Sequence, residues 1–220
     1  LEIIDPKPAY VEHLGSLVDM ASLRAAAFKV VIVSMYGAAL GWLAQMLGDG
    51  QVQVQELHGV RNPLFPGLHN PEPIERNLGE LCDMVRQMKA DVGLATDGDG
   101  DRIGVIDERG EFINQHQTFA LLAYYLLEER GQRGPLVRSV TSSRMIDRLG
   151  ELYGVPVYET PVGFKYLGPK MMAADALMAG EESGGFAFRG HLPERDGLLS
   201  ALYFLDFLAR TDKKPSELVA

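Results

Sequence analysis

Asp97, Asp99 and Asp101 alternate with Gly98 and Gly100 and run directly into Arg102. Glycine lets the backbone bend so that alternate side chains converge. Three converging carboxylates repel one another, and a hard divalent cation with oxygen ligands, Mg²⁺ or Ca²⁺, relieves that repulsion. Arg102 adds a planar donor fork that suits phosphate. An EF-hand loop also starts with Asp at its first, third and fifth positions, and counting from Asp97 even places Glu108 at the twelfth. Its sixth position requires Gly, however, and here that residue is Arg102 between strand-like flanks rather than helices. An acidic surface turn is the plainer alternative for the hexapeptide.

Other residues have types suited to a polar ligand. Gly180-Glu181-Glu182-Ser183-Gly184-Gly185 holds carboxylates and a hydroxyl on a glycine-flanked turn. Carboxylates and a hydroxyl held on such a turn are good acceptors for sugar hydroxyls, although on these residues alone an ordinary turn before a strand is the simpler reading. Lys165 follows Thr160-Pro161 and opens a helical run, where its ammonium offers a point charge to phosphate. A surface lysine reads the same way. Arg138 stands in the run LVRSV, and a buried strand avoids unpaired charge, so an exposed strand edge is expected there. Gly37-Ala38-Ala39-Leu40-Gly41 lacks the Lys-Ser/Thr ending and the dinucleotide spacing of phosphate loops. His191 has no visible partner. Cys82 lies on an apolar helix face and reads as core.

These residues are carried by alternating strands and helices. Helical periodicity marks Tyr10–Leu23, Gly37–Leu47, Ile74–Lys89, Gln117–Glu129, Ser143–Leu152, Phe164–Ala174 and Asp196–Arg210. Ser142 and Ser143 read as hydroxyl caps. Strands are expected at Lys29–Ser34, Gln51–Leu57, Asp91–Ala95, Ile103–Asp107, Leu136–Val140 and Val155–Thr160, with short apolar pieces at Ala176–Ala179 and Phe186–Phe188. Strand and helix in alternation define an α/β fold with mainly parallel sheets. The turn pair Arg109-Gly110 divides the chain into two consecutive α/β/α units, 1–110 and 111–220, each long enough for a modest core. No repeat is clear enough in the sequence to indicate duplication.

Composition bounds the partners. The chain has 220 residues, 46% hydrophobic and 23% charged, which is globular rather than disordered or membrane-embedded. Lys and Arg number 21 against 30 Asp and Glu, a formal charge of −9, so no nucleic-acid partner is expected. No apolar run approaches a membrane span. One cysteine excludes an internal disulfide framework and fits a reducing, cytoplasmic setting. The chain opens on Leu1 rather than Met, which predicts a longer parent polypeptide.

Together these segments resemble the α-D-phosphohexomutases, and among them the phosphoglucomutase/phosphomannomutase enzymes. DGDGDR (97–102), preceded by NPEP (70–73) and KADVGLAT (89–96), is similar to the family's metal segment. TPVGFKYL (160–167), GEESGG (180–185) and RGHLPERDGLL (189–199) follow in the family's order; VIVSMYGAALG (31–41) has Ser34 where Asp is usual. The resemblance implies the second and third of four domains. It implies a phosphoserine enzyme that moves phosphate between the 1- and 6-hydroxyls of a hexose through a glucose 1,6-bisphosphate-type intermediate. Asp97, Asp99 and Asp101 would hold Mg²⁺, Arg102 and Lys165 would serve the phosphoryl group, and Glu181, Ser183 and Arg138 would face the hexose phosphate substrate. Gly185 stands where many members have His. Neither the serine loop of the first domain nor the phosphate loop of the fourth is found. A stand-alone Mg²⁺ or sugar-phosphate binding module without turnover, or a different phosphotransferase that uses the Asp loop, remains open; a phosphorylated serine from another chain bound at the site would favour the mutase.

Overall fold

The computed structural model describes residues 3–220; residues 1 and 2, where the expected first unit begins, lie outside it. In chain order the elements are α1 (Lys7–Leu17), α2 (Met20–Ala25), β1 (Lys29–Val33), α3 (Trp42–Leu47), β2 (Gln53–Leu57), α4 (Gly79–Met88), β3 (Val92–Thr96), β4 (Ile103–Ile106), β5 (Phe112–Ile113) and α5 (Gln115–Tyr124). There follow β6 (Leu136–Ser139), α6 (Met145–Tyr153), β7 (Val157–Thr160), α7 (Phe164–Ala174), β8 (Met178–Gly180), β9 (Phe186–Phe188), α8 (Gly197–Thr211) and α9 (Pro215–Val219).

The strands form two sheets, ordered β2-β1-β3-β4-β5 and β7-β6-β8-β9. In each, three parallel strands are followed by an antiparallel one: β4 against β3, β9 against β8. The same topology therefore occurs twice, a duplication that the sequence does not display. The first sheet also runs past the Arg109-Gly110 turn, since β5 pairs with β4 through Ile106 and Phe112.

The β-branched strands are buried on both faces, as parallel sheets require. Val31 and Val33 point to a local core under α4, while Val30 and Ile32, one residue out of phase, point to a larger one. Likewise Val137 packs under α7, and Leu136 joins the larger core. The expectation of a separate core for each unit is therefore corrected: the main core belongs to both. At its centre is α8, in which every residue from Gly197 to Leu208 is buried. A helix apolar on all sides has to be surrounded, and α8 lies against β3 and β4 while Tyr203 meets Phe188 of β9 edge-on at 4.8 Å.

Local chemistry moves several expected boundaries. The helix read over Tyr10–Leu23 breaks at Val18, which is extended, and restarts where Asp19 accepts the Ser22 N–H at 3.1 Å. Helix α3 begins only at Trp42, because the Ala38 N–H is taken by the Gly98 carbonyl at 2.9 Å. The run from Ile74 starts as a 3-10 turn over Glu75–Asn77. Helix α6 has no side-chain cap at its Arg144 N-cap; Ser143 accepts from Met145 N–H at 3.2 Å, and Ser142 is buried against Ser139.

Candidate metal centre and sugar loop

Both acidic loops are hairpin connections at the same place in the repeated topology. Asp97–Arg102 joins β3 to β4, and Glu181–Gly185 joins β8 to β9. Each turns through a left-handed glycine, Gly100 at φ +83° and Gly184 at φ +92°, a conformation other residues adopt only at a cost. The loops meet: Arg102 pairs with Gly185 as an antiparallel bridge, and the Ile103 N–H donates to the Gly184 carbonyl at 3.0 Å.

Asp97 is buried, and its Oδ1 accepts the N–H groups of Gly100, Asp101 and Arg102 at 3.0, 2.9 and 3.1 Å. Its Oδ2 is paired with Arg102, whose Nη1 also reaches Glu72 at 3.4 Å. The NPEP segment braces the loop, with the Pro71 carbonyl accepting from Gly98 at 3.0 Å. Carboxylate oxygens of Asp97, Asp99 and Asp101 lie within 4.8 Å of one another. Burial, then the Asp97 charge, raises the Asp99 carboxyl; the same causes push Asp101 up to about 7, against the pull of Arg195. Negative charge at the loop is under-compensated, and an oxygen donor set of this kind fits a hard divalent cation.

The second loop is also tied down. Glu181, 5% exposed, accepts from Ser183 Oγ and from Arg195 Nη1, both at 2.9 Å. Glu182 accepts from Ser139 Oγ at 2.8 Å and from Thr141 at the end of β6. Arg195 crosses between the loops, with Nη2 2.7 Å from Asp101. A cavity of about 350 Å³ opens beside this junction, lined by Tyr10, Trp42, Asp99, Asp101 and Arg195.

Asp97, Asp99, Asp101, Arg102, Glu181 and Ser183 are thus gathered at one junction; among the described residues Lys165 and Arg138 make no hydrogen bond or ion pair with them. Lys165 is exposed, with its Nζ over the Tyr166 ring at 5.1 Å. Arg138 is not at a sheet edge: β6 runs between β7 and β8, and Arg138 is only 7% exposed. Its guanidinium binds Asp147 at 3.0 and 2.9 Å and Glu159 at 2.9 Å, which resolves the charge without substrate. His191 does have partners. Its Nε2 lies 2.8 Å from Asp196 and its Nδ1 3.0 Å from His13 Nε2, while Tyr10 OH donates to Asp196 at 2.7 Å. Asp196 in turn caps α8 by accepting the Leu199 N–H at 2.8 Å. Ser34 donates to Glu56 at 2.9 Å, and the same Glu56 oxygen takes the Gly41 N–H at 3.0 Å. Cys82 is half-buried against the core under α4, as its position on that helix predicts, and burial raises its thiol. Arg195 and Glu182 are the site residues that sequence reasoning does not single out; the signal for Arg195 is its place in RGHLPERDGLL.

Two α/β/α units of one topology thus meet through an Asp loop and a Glu-Ser loop. The chain belongs to the phosphoglucomutase/phosphomannomutase family: the family's sequence models for "alpha/beta/alpha domain II" and "alpha/beta/alpha domain III" match residues 8–110 and 114–220. It is 33% identical to a phosphoglucomutase/phosphomannomutase of Thermococcus kodakarensis, over 99% of this chain and 47% of that protein. Human phosphoglucomutase-1 is 32% identical over 95% of this chain and 39% of its own length. The crystal structure of a Thermus thermophilus protein described as a candidate phosphomannomutase superimposes with a TM-score of 0.93 at 38% identity, covering 99% of this chain and 50% of that one. The chain spans about half the length of the relatives it matches. Among the described residues, no helix is long and apolar enough to cross a membrane.

Proposed function

We propose that this chain is the metal-binding and sugar-recognition half of a phosphohexomutase that interconverts hexose 1-phosphate and hexose 6-phosphate through a phosphoserine and a hexose bisphosphate. The supporting observation is the junction of the two hairpin loops, where Arg195 touches both Asp101 and Glu181. Metal-type carboxylates and a sugar-type pair, buried Glu181 and half-buried Ser183, share one junction, as transfer between two hydroxyls of one sugar requires. In this reading the first domain covers 1–110 and the second 111–220, with β5 as a strand exchanged across that divide. The phosphoserine and the distal phosphate loop come from polypeptide beyond these residues, and the whole enzyme works in the cytoplasm.

Asp97, Asp99 and Asp101 would hold Mg²⁺, which when bound supplies charge neutralisation and Lewis-acid polarisation at a transferring phosphoryl group. Arg102, fixed by Asp97 and Glu72, presents a rigid cation beside that position. Glu181 and Ser183 orient sugar hydroxyls through charge-assisted hydrogen bonds. Lys165, exposed next to Phe164, offers its ammonium to the substrate phosphate. Arg138 supports β6 through Asp147 and Glu159 rather than touching substrate.

The test combines calorimetry with a coupled assay containing glucose 1-phosphate, glucose 1,6-bisphosphate and Mg²⁺. One Mg²⁺ per chain is expected, with uptake lost in Asp99→Ala and no turnover by the chain alone. Uptake unchanged in Asp99→Ala would sink the metal assignment. Turnover abolished by Asp97→Ala would show that the chain carries its own nucleophile.

A further inference from the structure

Resting on the metal site proposed above, we infer that Arg195 is a displaceable counter-ion: it neutralises Asp101 when no divalent cation is held, and cation binding frees it for an anionic group of the hexose phosphate.

The charges at the junction lead to this. Arg102 is engaged by Asp97 and Glu72. Arg102 Nε comes no closer than 3.8 Å to Asp101, so the near cation for Asp101 and Glu181 is Arg195, whose Nη2 lies 2.7 Å from Asp101 and whose Nη1 lies 2.9 Å from Glu181. A dication bound by Asp97, Asp99 and Asp101 claims the carboxylate that Arg195 holds and repels its guanidinium at short range. The hold on Glu181 survives, so the arginine is released at one end only. The Asp101-facing nitrogen is then open to a ligand. Arg195 Nε is buried and without a hydrogen-bond acceptor, with Glu194 no nearer than 3.5 Å, so a second donor is uncommitted once the guanidinium turns.

Gly185 makes this arrangement possible. A Cβ there would lie 2.2 Å from Arg195 Cδ and 2.8 Å from its Cγ, so any side chain at 185 evicts the arginine stem. Absence of a side chain at 185 and presence of the cation at 195 are one design. The Phe164 ring, 5.5 Å from the guanidinium carbon, gives the group an aromatic surface to move across. Because metal and phosphate act through one side chain, each must strengthen the other by the same factor.

The experiment measures Mg²⁺ binding by calorimetry to the full chain, to Arg195→Gln and to Gly185→Ala. Glucose 6-phosphate binding is then measured with and without Mg²⁺. Arg195→Gln should bind Mg²⁺ about tenfold tighter or more, since a competing unit charge close to the site is removed. Gly185→Ala, which expels the guanidinium while keeping its charge, should tighten Mg²⁺ several-fold and covers a failure of Arg195→Gln to fold. Mg²⁺ should strengthen glucose 6-phosphate binding in the parent chain and lose that effect in Arg195→Gln. Equal or weaker Mg²⁺ binding by the folded variants overturns the inference and leaves the metal site standing; Arg195 would then be a support that holds Asp101 for the ion. The inference fails in the same way if Mg²⁺ strengthens sugar-phosphate binding equally without Arg195. No Mg²⁺ uptake by any of the three removes the metal site, and the inference with it.

Discussion

Arg102 and Gly185 face each other across two sheets as an antiparallel pair. Each belongs to the hairpin loop that follows three parallel strands, so a repeated topology brings its two equivalent turns together. The Asp loop and the Glu-Ser loop are therefore joined through backbone, and Arg195 adds a side-chain link between them. A second backbone tie reinforces this, from the Gly197 N–H at the start of α8 to the Gly100 carbonyl at 3.0 Å.

Gly184→Ala should open this junction. Its φ of +92° is unsuited to alanine, and the new Cβ would lie 2.7 Å from the Ile103 carbonyl oxygen. A loss of about 1–3 kcal/mol is expected from strain at such a position. Hydrogen exchange at the Ile103 amide should speed up alongside the lower melting temperature; unchanged protection there would refute the role given to the bridge.

Asp196→Ala should cost about 2–4 kcal/mol, combining loss of a helix cap with orphaned donors on Tyr10 and His191. The carboxylate can only accept, so His191 donates to it from Nε2, while His191 Nδ1 and His13 Nε2 share a hydrogen bond. Urea unfolding measures the loss. A change below about half a kcal/mol would mean that this clasp between α1 and α8 is incidental.

Mg²⁺ uptake should depend on pH. In the metal-free protein Asp101 is raised from 3.8 to about 7, chiefly by burial. Its carboxyl therefore stabilises the metal-free fold at low pH, and this contribution disappears as pH rises through about 7. A ligating carboxylate must be ionised, so apparent Mg²⁺ affinity should climb up to about pH 7 and then level off. Titrations in buffers of different ionisation enthalpy should detect proton release near pH 6. Affinity that stays flat across that interval contradicts the assignment.

Leu202→Ala tests the shared core. Leu202 is fully buried on α8, and truncation of such a leucine costs about 2–5 kcal/mol. Because the main core is common to both sheets, calorimetry should show one transition moving down as a unit. Two separated transitions would mean that the units hold themselves together independently.

Much of this was legible in residue order. The β-branched run Lys29–Val33 and the Asp loop declare themselves locally, through periodicity and charge spacing, whereas the Glu-Ser loop reads locally as an ordinary turn and stands out only through the family resemblance. What escapes is non-local. Arg138 looks anomalous until Asp147 and Glu159 are folded against it, and nothing singles out Arg195 until Asp101 and Glu181 close around it. Strand β5 has only two residues, too few for an alternation to register. The Gly37–Gly41 stretch has helix-compatible residues, but its amides are drawn off by Gly98 and Glu56.

Helix α8 lies deep between two units that are separate in sequence, and this constrains how the protein can change over generations. A crossover between relatives near residue 110 would unite one parent's β3 and β4 with the other parent's α8. The seams of such a hybrid would fall inside the main core rather than at an exposed linker. A hybrid that exchanges both halves together keeps that packing intact, whereas one that exchanges a single half must repack around α8.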